Sequence, residues 1–234
     1  MSGKTIAIIV AGGSGARFGG DIPKQYLLVA GRPLLSWTIS RFERASTVDQ
    51  IVIVAAEDYL LYINNKVINP YGFQKVLKIV PGGATRAESV WKGIEAVPIS
   101  TSHIAIHDAV RPLVRPSDID AVVREAKSSR AAILGRPADE TVKRARHGMV
   151  FATLDRANLY LAETPQVFQY DLIKEAYAKG LATGLAATDD AFMVEALGFP
   201  VRLVLTGGPN TKLTKPDDME FVRMVLEKEA ASGI

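Results

Sequence analysis

The stretch TIAIIVAGGSGARFGGDIPKQY, residues 5–26, joins a short apolar run to a loop that contains five glycines. The run is rich in β-branched residues, and a glycine-rich loop directly after a strand lies at the ligand-binding edge of an α/β sheet. Glycine lets backbone N–H groups approach an anion closely, and Arg17 and Lys24 add two positive charges around the loop. The stretch therefore predicts a loop that holds a polyanion.

Two familiar phosphate-binding templates do not fit this loop. A dinucleotide fingerprint G-x-G-x-x-G would need glycine where Phe18 stands, and a P-loop would need lysine where Asp21 follows Gly20. The alternative interpretation is a plain glycine-rich turn with solvated charges, which the conformational entropy of so many glycines disfavours. The loop is expected to bind its anion in a manner different from both templates.

Strand-like apolar runs alternate with helical patterns along the rest of the chain. Strands are predicted at 5–11, 50–56, 75–80, 103–108, 130–135 and 201–206, and helices near 33–45, 57–68, 85–97, 116–128, 170–180, 188–197 and 216–230. This alternation predicts an α/β, Rossmann-like fold with a mostly parallel sheet and helices on both faces. Functional residues are expected in the loops that follow the strands, because ligands bind there in such sheets.

One segment, residues 140–155, breaks the alternation. Two β-prone runs flank Gly148, which can supply the positive φ of a tight turn, so the segment predicts a β-hairpin. An isolated hairpin is marginally stable in water. We therefore expect one domain over residues 1–234 whose arm, residues 137–158, packs against a second subunit. Folding of the hairpin back onto its own domain is the alternative.

Composition disfavours several classes of site and partner. The 234 residues include no cysteine and three histidines, which removes disulfides and thiolate ligands and disfavours a histidine-rich metal cluster. A formal charge of +3, from 28 basic and 25 acidic residues, suits a small anionic substrate better than nucleic acid. The lack of cysteine suits a reducing cytoplasm, and no run reaches the roughly 18 apolar residues of a membrane helix. A cytoplasmic protein without a membrane or nucleic-acid partner is expected.

The segment PGGATRAESV, residues 81–90, carries a glycine pair between a predicted strand and a helix. The pair leaves room for a flat base, and Ser89 on the first helical turn is placed to hydrogen-bond it. Thr85 and Glu88 have the spacing of a capping box that opens the helix. Taken alone, the segment is more typical of an ordinary strand–loop–helix junction.

The segment HDAVRPLV, residues 107–114, ends the fourth predicted strand. Asp108 is placed to hydrogen-bond hydroxyls or touch a cation, and Arg111 can clamp a phosphate or a carboxylate. His103 and His107 share one face of that strand, yet no third metal ligand is evident. The segment therefore predicts anion and hydroxyl binding rather than a metal pair.

Polar residues near predicted strands also occur in the carboxyl-terminal half. Lys212 is predicted in a loop before the last helix. Thr164 and Thr188 are expected at loop or helix-start positions, and Thr188 taken alone is more typical of a helix N-cap than of a ligand contact.

In their order along the chain, these segments resemble the 2-C-methyl-D-erythritol 4-phosphate cytidylyltransferase family. The motifs are AGGSGARFG…PKQY, GG-x-x-R-x-x-SV, HDAVRP, ETVK, DR-x-x-LY-x-x-ETPQ-x-F, TDDA and N-x-K-x-T-x-PDD, over about residues 5–225. The resemblance implies a nucleotidyltransferase-type fold, Mg²⁺ on a triphosphate and a homodimer interlocked by a β-arm. The implied reaction joins CTP to the sugar-alcohol phosphate of isoprenoid precursor biosynthesis and releases pyrophosphate.

The resemblance also implies roles for single residues. It implies that Arg17 and Lys24 stabilise the transition state, and that Lys212 and Arg156 position the methylerythritol phosphate. The implied nucleotide contacts are Ala11, Gly12, Gly13, Gly15, Gly83 and Ser89. The implied substrate or ribose contacts are Asp108, which is also the candidate metal ligand, and Arg111, Thr141, Arg156, Thr164 and Thr188. Thr141 and Arg156, at the two roots of the hairpin, would reach into the neighbouring subunit's site.

Two positions depart from the family pattern and keep alternatives open. Glu140 stands where the family usually has aspartate, and Val110 replaces the commoner alanine and also occurs in ribitol 5-phosphate cytidylyltransferases. That sister activity, a UTP- or GTP-dependent sugar-1-phosphate nucleotidyltransferase and a non-catalytic nucleotide-binding module are the competing hypotheses. The DETVK and DR-x-x-LY stretches favour the methylerythritol branch, and binding alone does not need Arg17, Lys24 and Lys212 together.

Overall fold

The computed structural model describes residues 3–13 and 22–232. Its strands are β1 (Lys4–Ala11), β2 (Leu28–Val29), β3 (Arg32–Pro33), β4 (Gln50–Ala55), β5 (Val76–Pro81), β6 (Thr101–Asp108), β7 (Ala131–Pro137), β8 (Lys143–Arg146), β9 (Met149–Thr153), β10 (Tyr160–Gln169) and β11 (Arg202–Leu205). Its helices are α1 (Leu34–Arg44), α2 (Leu60–Tyr62, continued by a π-helix at Ile63–Ile68), α3 (Arg86–Ala96), α4 (Pro116–Ser129), α5 (Tyr170–Ala182), α6 (Asp190–Glu195) and α7 (Pro216–Ala231).

The central sheet of the described residues has the spatial order β5-β4-β1-β6-β10-β7-β11. All of its strands run parallel except β10, which is antiparallel to both of its neighbours. The predicted mostly parallel sheet is confirmed, and each of the six predicted strands is present. Each predicted helix is present as well.

Strand β10 was not predicted, because its run contains a proline and the charged residue Glu163, which is buried in the fold. Proline cannot donate to a strand ladder and argues against a central strand. The pairing of β10 with β7 shifts register between Ala162 and Gln166, so Pro165 lies where the ladder is interrupted. The expectation that Thr164 lies in a loop or at a helix start is therefore wrong, because it belongs to this strand.

Alternate residues of the central strands enter two separate hydrophobic layers. Ile9 of β1 packs with the layer that includes apolar residues of α1 and α4. Its neighbour Ile8 packs with the layer that includes residues of α3 and α5. Both isoleucines are fully buried, as strand residues are when helices cover both faces of a sheet. The predicted helix layers on both faces are confirmed.

The predicted hairpin is formed by β8 and β9, which pair only with each other among the described strands. At its turn, His147 and Gly148 have φ angles of 51° and 79°, the left-handed pair that suits a two-residue hairpin turn. Met149, Val150 and Phe151 of β9 are exposed. The arm, residues 137–158, thus presents apolar side chains that its own domain does not cover.

Among the described helices, none combines the length and the apolar character that crossing a membrane would need.

Candidate active site

Three adjoining cavities open along the edge of the sheet at which the parallel strands end. The first cavity, of about 390 Å³, is lined by the loops after β1, β5 and β6. The second, of about 260 Å³, and the third, of about 510 Å³, extend from it along β10 and the loop after β11. Because β10 is antiparallel, its amino-terminal half reaches this edge. The cavities lie where the fold class predicted.

Most of the predicted site residues line these cavities. In the first are Ala11, Gly12, Gly13, Lys24, Gly83, Ser89, Asp108 and Lys212, and in the second are Asp108, Arg111, Thr164, Thr188 and Lys212. Lys212 also lines the third cavity, so it is common to all three. The predicted Arg17 and Gly15 lie outside the described residues, as do Phe18 and Asp21.

Asp108, the last residue of β6, is surrounded by three cations. Its carboxylate lies 2.9 Å from Lys212 Nζ, 3.3 Å from Arg86 Nε and 3.5 Å from Arg111 Nε. Burial alone would raise the pKa of Asp108, but the nearby charges of Arg86, Lys212 and Arg111 outweigh it and hold the pKa well below its ordinary value. Asp108 is therefore ionised at neutral pH and links the cations of the cavity walls.

Arg86 joins Asp108 to a second, fully buried carboxylate. Its guanidinium donates two hydrogen bonds to Asp190, at 2.9 and 2.8 Å, and the Tyr177 hydroxyl donates to the same carboxylate. Burial would lower the pKa of Arg86, but Asp190 and Asp108 together raise it above its ordinary value. Arg86 and Asp190 belong to the GG-x-x-R-x-x-SV and TDDA motifs, but neither was predicted as a site residue.

Residues 24–26 form a 3₁₀ turn whose side chains hydrogen-bond to the end of β1, to the loop after it and to the loop after β11. Lys24 Nζ donates to the Leu213 carbonyl at 2.6 Å, next to Lys212. Gln25 Nε2 donates to the carbonyls of Ala11 at 2.7 Å and Gly13 at 2.9 Å. Lys24 and Lys212 thus reach the same cavity from two loops, and Gln25, which sequence reasoning missed, is bound to the glycine loop.

Ser89 shapes the loop that leads into α3. Its hydroxyl accepts from the Gly83 N–H at 3.0 Å and donates to the Thr85 carbonyl at 2.9 Å. A Cβ at position 83 would collide with the Glu88 side chain, so the close turn requires glycine. The capping box is only half formed: Thr85 accepts from the Glu88 N–H, but the Glu88 carboxylate accepts from Ala84 instead of Thr85. Glu88 reaches one residue further back than predicted.

The Thr164 hydroxyl belongs to a buried chain of hydrogen bonds. His107 Nε2 faces the Arg111 carbonyl at 3.1 Å and must donate, so Nδ1 accepts from Thr164 Oγ1 at 3.0 Å. The same hydroxyl accepts from the Asp108 N–H at 3.2 Å. Burial lowers the pKa of His107 to about 3, so the ring is neutral. These hydrogen bonds hold the backbone at Asp108 in place.

His103 and His107, which share one face of β6, are not arranged as a pair of metal ligands. His107 uses both ring nitrogens within the protein, and His103 Nδ1 pairs with the Ser102 hydroxyl at 3.0 Å. Over residues 3–13 and 22–232, no three His, Asp or Glu side chains cluster as metal ligands do.

The remaining threonines and Arg156 lie at the margins of the cavities. Thr188 is exposed in the second cavity, and the N-cap of α6 is Asp189, which accepts from the Phe192 N–H at 3.0 Å. The N-cap interpretation of Thr188 is therefore wrong by one residue. Thr141 and Arg156 are exposed on the arm, where the Arg156 guanidinium donates to the Asp139 carbonyl. The described lining of the three cavities includes neither of them.

Known proteins resemble the chain over nearly its full length. Residues 5–228 match the family described as IspD: 2-C-methyl-D-erythritol 4-phosphate cytidylyltransferase. Two enzymes bearing that name are 40% identical over 225 residues (Pelotomaculum thermopropionicum; 96% of this chain, 94% of that protein) and 39% identical over 230 residues (Syntrophus aciditrophicus; 98% of each). The crystal structure of 4-diphosphocytidyl-2C-methyl-D-erythritol synthase from Anaerococcus prevotii has a TM-score of 0.86 at 28% identity over 96% of each chain. The chain therefore belongs to the 2-C-methyl-D-erythritol 4-phosphate cytidylyltransferase family.

Proposed function

We propose that this chain transfers the cytidylyl group of CTP to 2-C-methyl-D-erythritol 4-phosphate in isoprenoid precursor biosynthesis. The products are 4-diphosphocytidyl-2-C-methyl-D-erythritol and pyrophosphate. Family membership indicates the two substrates. The observation that carries the proposal is the position of Lys212, which lines all three cavities and pairs with Asp108 at 2.9 Å on the wall that the first two cavities share.

The first cavity is assigned to CTP and the other two to the polyol phosphate. Glycine backbone forms two sides of the first cavity, through Gly12 and Gly13 on one loop and Gly83 on another. Bare backbone allows a base and a triphosphate to approach N–H groups closely. The second and third cavities share Arg111, whose planar guanidinium suits a phosphate, and the exposed Thr188 hydroxyl opens into the second.

The reaction needs no general base. A phosphate monoester has a second pKa of about 6, so the substrate phosphate is mostly a dianion at neutral pH and can attack directly. Its oxygen forms a bond to the α-phosphorus of CTP while the bond to the bridging oxygen breaks, and pyrophosphate leaves with the electron pair. His107 is accordingly not required as a base, since it is buried, neutral and hydrogen-bonded at both ring nitrogens.

The main obstacle is electrostatic, because two polyanions must meet and charge grows on the α-phosphoryl oxygens and on pyrophosphate. Preorganised cations lower such a barrier. Lys24 and Lys212 enter the first cavity from separate loops that the bond from Lys24 Nζ to the Leu213 carbonyl ties together. We assign Lys24, with Arg17, to the α-phosphate and Lys212 to the attacking phosphate.

Mg²⁺ is proposed to accompany the triphosphate. Proteins commonly hold this ion through one or two carboxylates together with substrate phosphates. Asp108 is ionised and lies on the wall of the first cavity, so it fits this mode, although its oxygens also face three cations. When bound, the ion neutralises charge on the phosphate oxygens.

A homodimer through the arm is proposed as well. A two-stranded hairpin needs further packing for stability, and Met149, Val150 and Phe151 are 60–74% exposed on it. In such a dimer, Thr141 and Arg156 would serve the partner's cavities, which agrees with their absence from the described lining of their own. A cytoplasmic location is proposed because a chain without cysteine suits a reducing compartment, and cell fractionation would test it.

The activity is tested by incubating the protein with Mg²⁺ and CTP and measuring pyrophosphate release. Methylerythritol 4-phosphate and ribitol 5-phosphate are offered in parallel, and UTP replaces CTP in a control. We expect release with methylerythritol 4-phosphate and CTP. Preference for ribitol 5-phosphate would overturn the choice of substrate, and release with neither would support the binding-module hypothesis. Omitting Mg²⁺ and adding chelator tests the ion.

A further inference from the structure

We propose that Gln25 is a positioning residue that orients the backbone of residues 11–13, where the glycine loop begins, for the phosphates of the nucleotide. The proposal rests on the proposed function only in taking the first cavity as the nucleotide site. Gln25 lines that cavity, and 3% of its surface is exposed.

The Gln25 side chain uses its amide group as a bridge between two loop carbonyls. A primary amide has two N–H donors, and the Nε2 of Gln25 lies 2.7 Å from the Ala11 oxygen and 2.9 Å from the Gly13 oxygen. These carbonyls flank Gly12 on both sides. One side chain therefore sets the orientation of the backbone before and after Gly12.

The direction of the Gly12 N–H follows from the strand that precedes it. The Val10 carbonyl faces β6 and accepts from the Ala109 N–H at 3.1 Å. Because carbonyls alternate along a strand, the Ala11 carbonyl faces the opposite side, where Gln25 binds it. The N–H of a trans peptide points opposite to its carbonyl, so the Gly12 N–H faces the β6 side. Asp108 and Ala109 line the first cavity on that side.

Neighbouring contacts hold Gln25 in this position. Tyr26 stacks on Tyr59 with ring centroids 4.4 Å apart and meets Tyr62 edge-on at 5.3 Å. On the other side, Lys24 is bonded to the Leu213 carbonyl. The turn that carries Gln25 is thus fixed on both flanks.

Without the Gln25 amide, the buried Ala11 carbonyl and the part-buried Gly13 carbonyl would lack this donor and could turn toward the cavity. A carbonyl oxygen repels an anion, whereas an N–H attracts it. Loss of Gln25 should therefore weaken phosphate binding through backbone orientation, with no charge removed from the site.

The test compares Gln25→Met with the wild type and with Thr101→Val. Methionine matches glutamine in length and removes both donors without adding charge. Thr101 is the control because it is buried and its hydroxyl donates to the Pro98 carbonyl at 2.6 Å, at the opposite end of β6 from Asp108. Calorimetry measures the Kd of CTP and of inorganic triphosphate without the second substrate, so a failure of the proposed catalysis does not affect the result.

For Gln25→Met, we expect the Kd of both ligands to rise about tenfold, which corresponds to about 1.4 kcal/mol. Thr101→Val should leave both Kd values within about twofold while lowering the melting temperature. In steady state, the KM of CTP should rise in Gln25→Met and that of the sugar phosphate should not. Unchanged Kd values in Gln25→Met, or an equal rise in both KM values, would overturn the proposal.

Gln25→Glu provides a second test if the methionine variant fails to fold. The introduced carboxylate repels both carbonyls and the phosphates, but its protonated form regains one donor. The ratio of its Kd for CTP to that of the wild type should fall as the pH is lowered toward the glutamate pKa, about 4.3 in a free side chain. Lys24, Arg86, Asp108 and Lys212 face the same cavity in both proteins, so the ratio to the wild type reports on the introduced carboxylate. A ratio that does not change with pH would contradict the proposed donor role.

Discussion

The wall around Asp108 and the arm hold charged residues in opposite environments. Asp108 is 7% exposed and is surrounded by cations from its own domain, and Asp190 behind it is fully buried. Arg156 on the arm is exposed and is bonded to a backbone carbonyl of the arm itself. The wall is therefore preorganised within one chain, whereas in the proposed homodimer the exposed arm would take its fixed environment from the partner subunit. Breaking each region should then produce a different kind of defect.

The largest effect on stability is expected from Asp190→Asn. Asp190 accepts two hydrogen bonds from Arg86 and one from Tyr177, and an amide would turn an N–H toward one of these donors. Removing one partner of a buried ion pair costs on the order of 3 kcal/mol in the free energy of unfolding. Urea unfolding measures this loss.

The matched control for this variant is Asp155→Asn on the arm. Asp155 accepts from the Ala157 N–H at 3.0 Å as the cap of an exposed turn, and asparagine caps equally well. We expect its free energy of unfolding to equal that of the wild type. Similar losses in the two variants would mean that the wall is no more preorganised than the arm.

Turnover should depend most on Lys24. Lys24→Ala removes a cation from the first cavity, and the loss of one such stabilising group lowers kcat by about a hundredfold or more. Pyrophosphate release measures kcat, and the exposed Lys66→Ala is the control. Near-normal turnover in Lys24→Ala would remove this residue from the catalytic group.

Stability should decrease as the pH is lowered, because of the buried His107 beside Asp108 in the wall and not because of the arm. Burial lowers the pKa of His107 from 6.5 to about 3, so below pH 6.5 the unfolded chain binds a proton that the folded chain refuses. The contribution of His107 to the free energy of unfolding is complete above pH 6.5. It is lost as the pH falls toward 3, by at most about 1.4 kcal/mol per pH unit. His107→Gln should flatten this slope, leaving the smaller contribution of His103, whose pKa burial also lowers. Below the ordinary carboxyl pKa of 3.8, the lowered pKa of Asp108 adds a loss of stability in both proteins.

The control for the pH profile is His147→Gln, at the exposed turn of the arm. Its urea midpoints should follow the wild-type pH profile. A slope that flattens in His147→Gln, or persists unchanged in His107→Gln, would contradict the assignment of the pH dependence to the wall.

The same contrast explains how much the sequence could predict. Strand ends converge at one edge in a parallel sheet, so Asp108, Arg111 and Lys212 could be placed together from their positions alone. The pairing of Arg86 with Asp190 joins segments 104 residues apart, and packing rather than local pattern creates it. The role of Gln25 was missed because an amide leaves no charge pattern or periodicity in a sequence.

The strand β10 was missed for a related reason. Its Glu163 is 5% exposed, which no strand propensity anticipates. Its carboxylate accepts from Thr206 Oγ1 at 2.9 Å and Asn210 Nδ2 at 3.1 Å, and Arg136 Nε lies 3.4 Å away. These partners become adjacent only after the sheet forms. The hairpin, in contrast, could be predicted because its turn depends on a local feature, the positive φ that Gly148 adopts.

A subunit-mixing experiment tests whether the arm completes a neighbouring site. Lys24→Ala and Arg156→Ala are each purified, mixed in equal amounts and allowed to exchange subunits. If Arg156 serves the partner's cavities, each mixed dimer has one site with both defects and one with none. Random exchange then restores about a quarter of the wild-type activity, since half of the dimers are mixed.

The experiment separates the two regions because Lys24 acts in the cavity of its own chain. If Arg156 acted there as well, every site in every dimer would carry one defect, and the mixture would be no more active than the average of the two variants. Mixing Lys24→Ala with Lys212→Ala is the control, since both residues line the cavities of one chain and cannot complement each other. Recovery in the Arg156 mixture alone would establish that the exposed arm takes its functional environment from the partner.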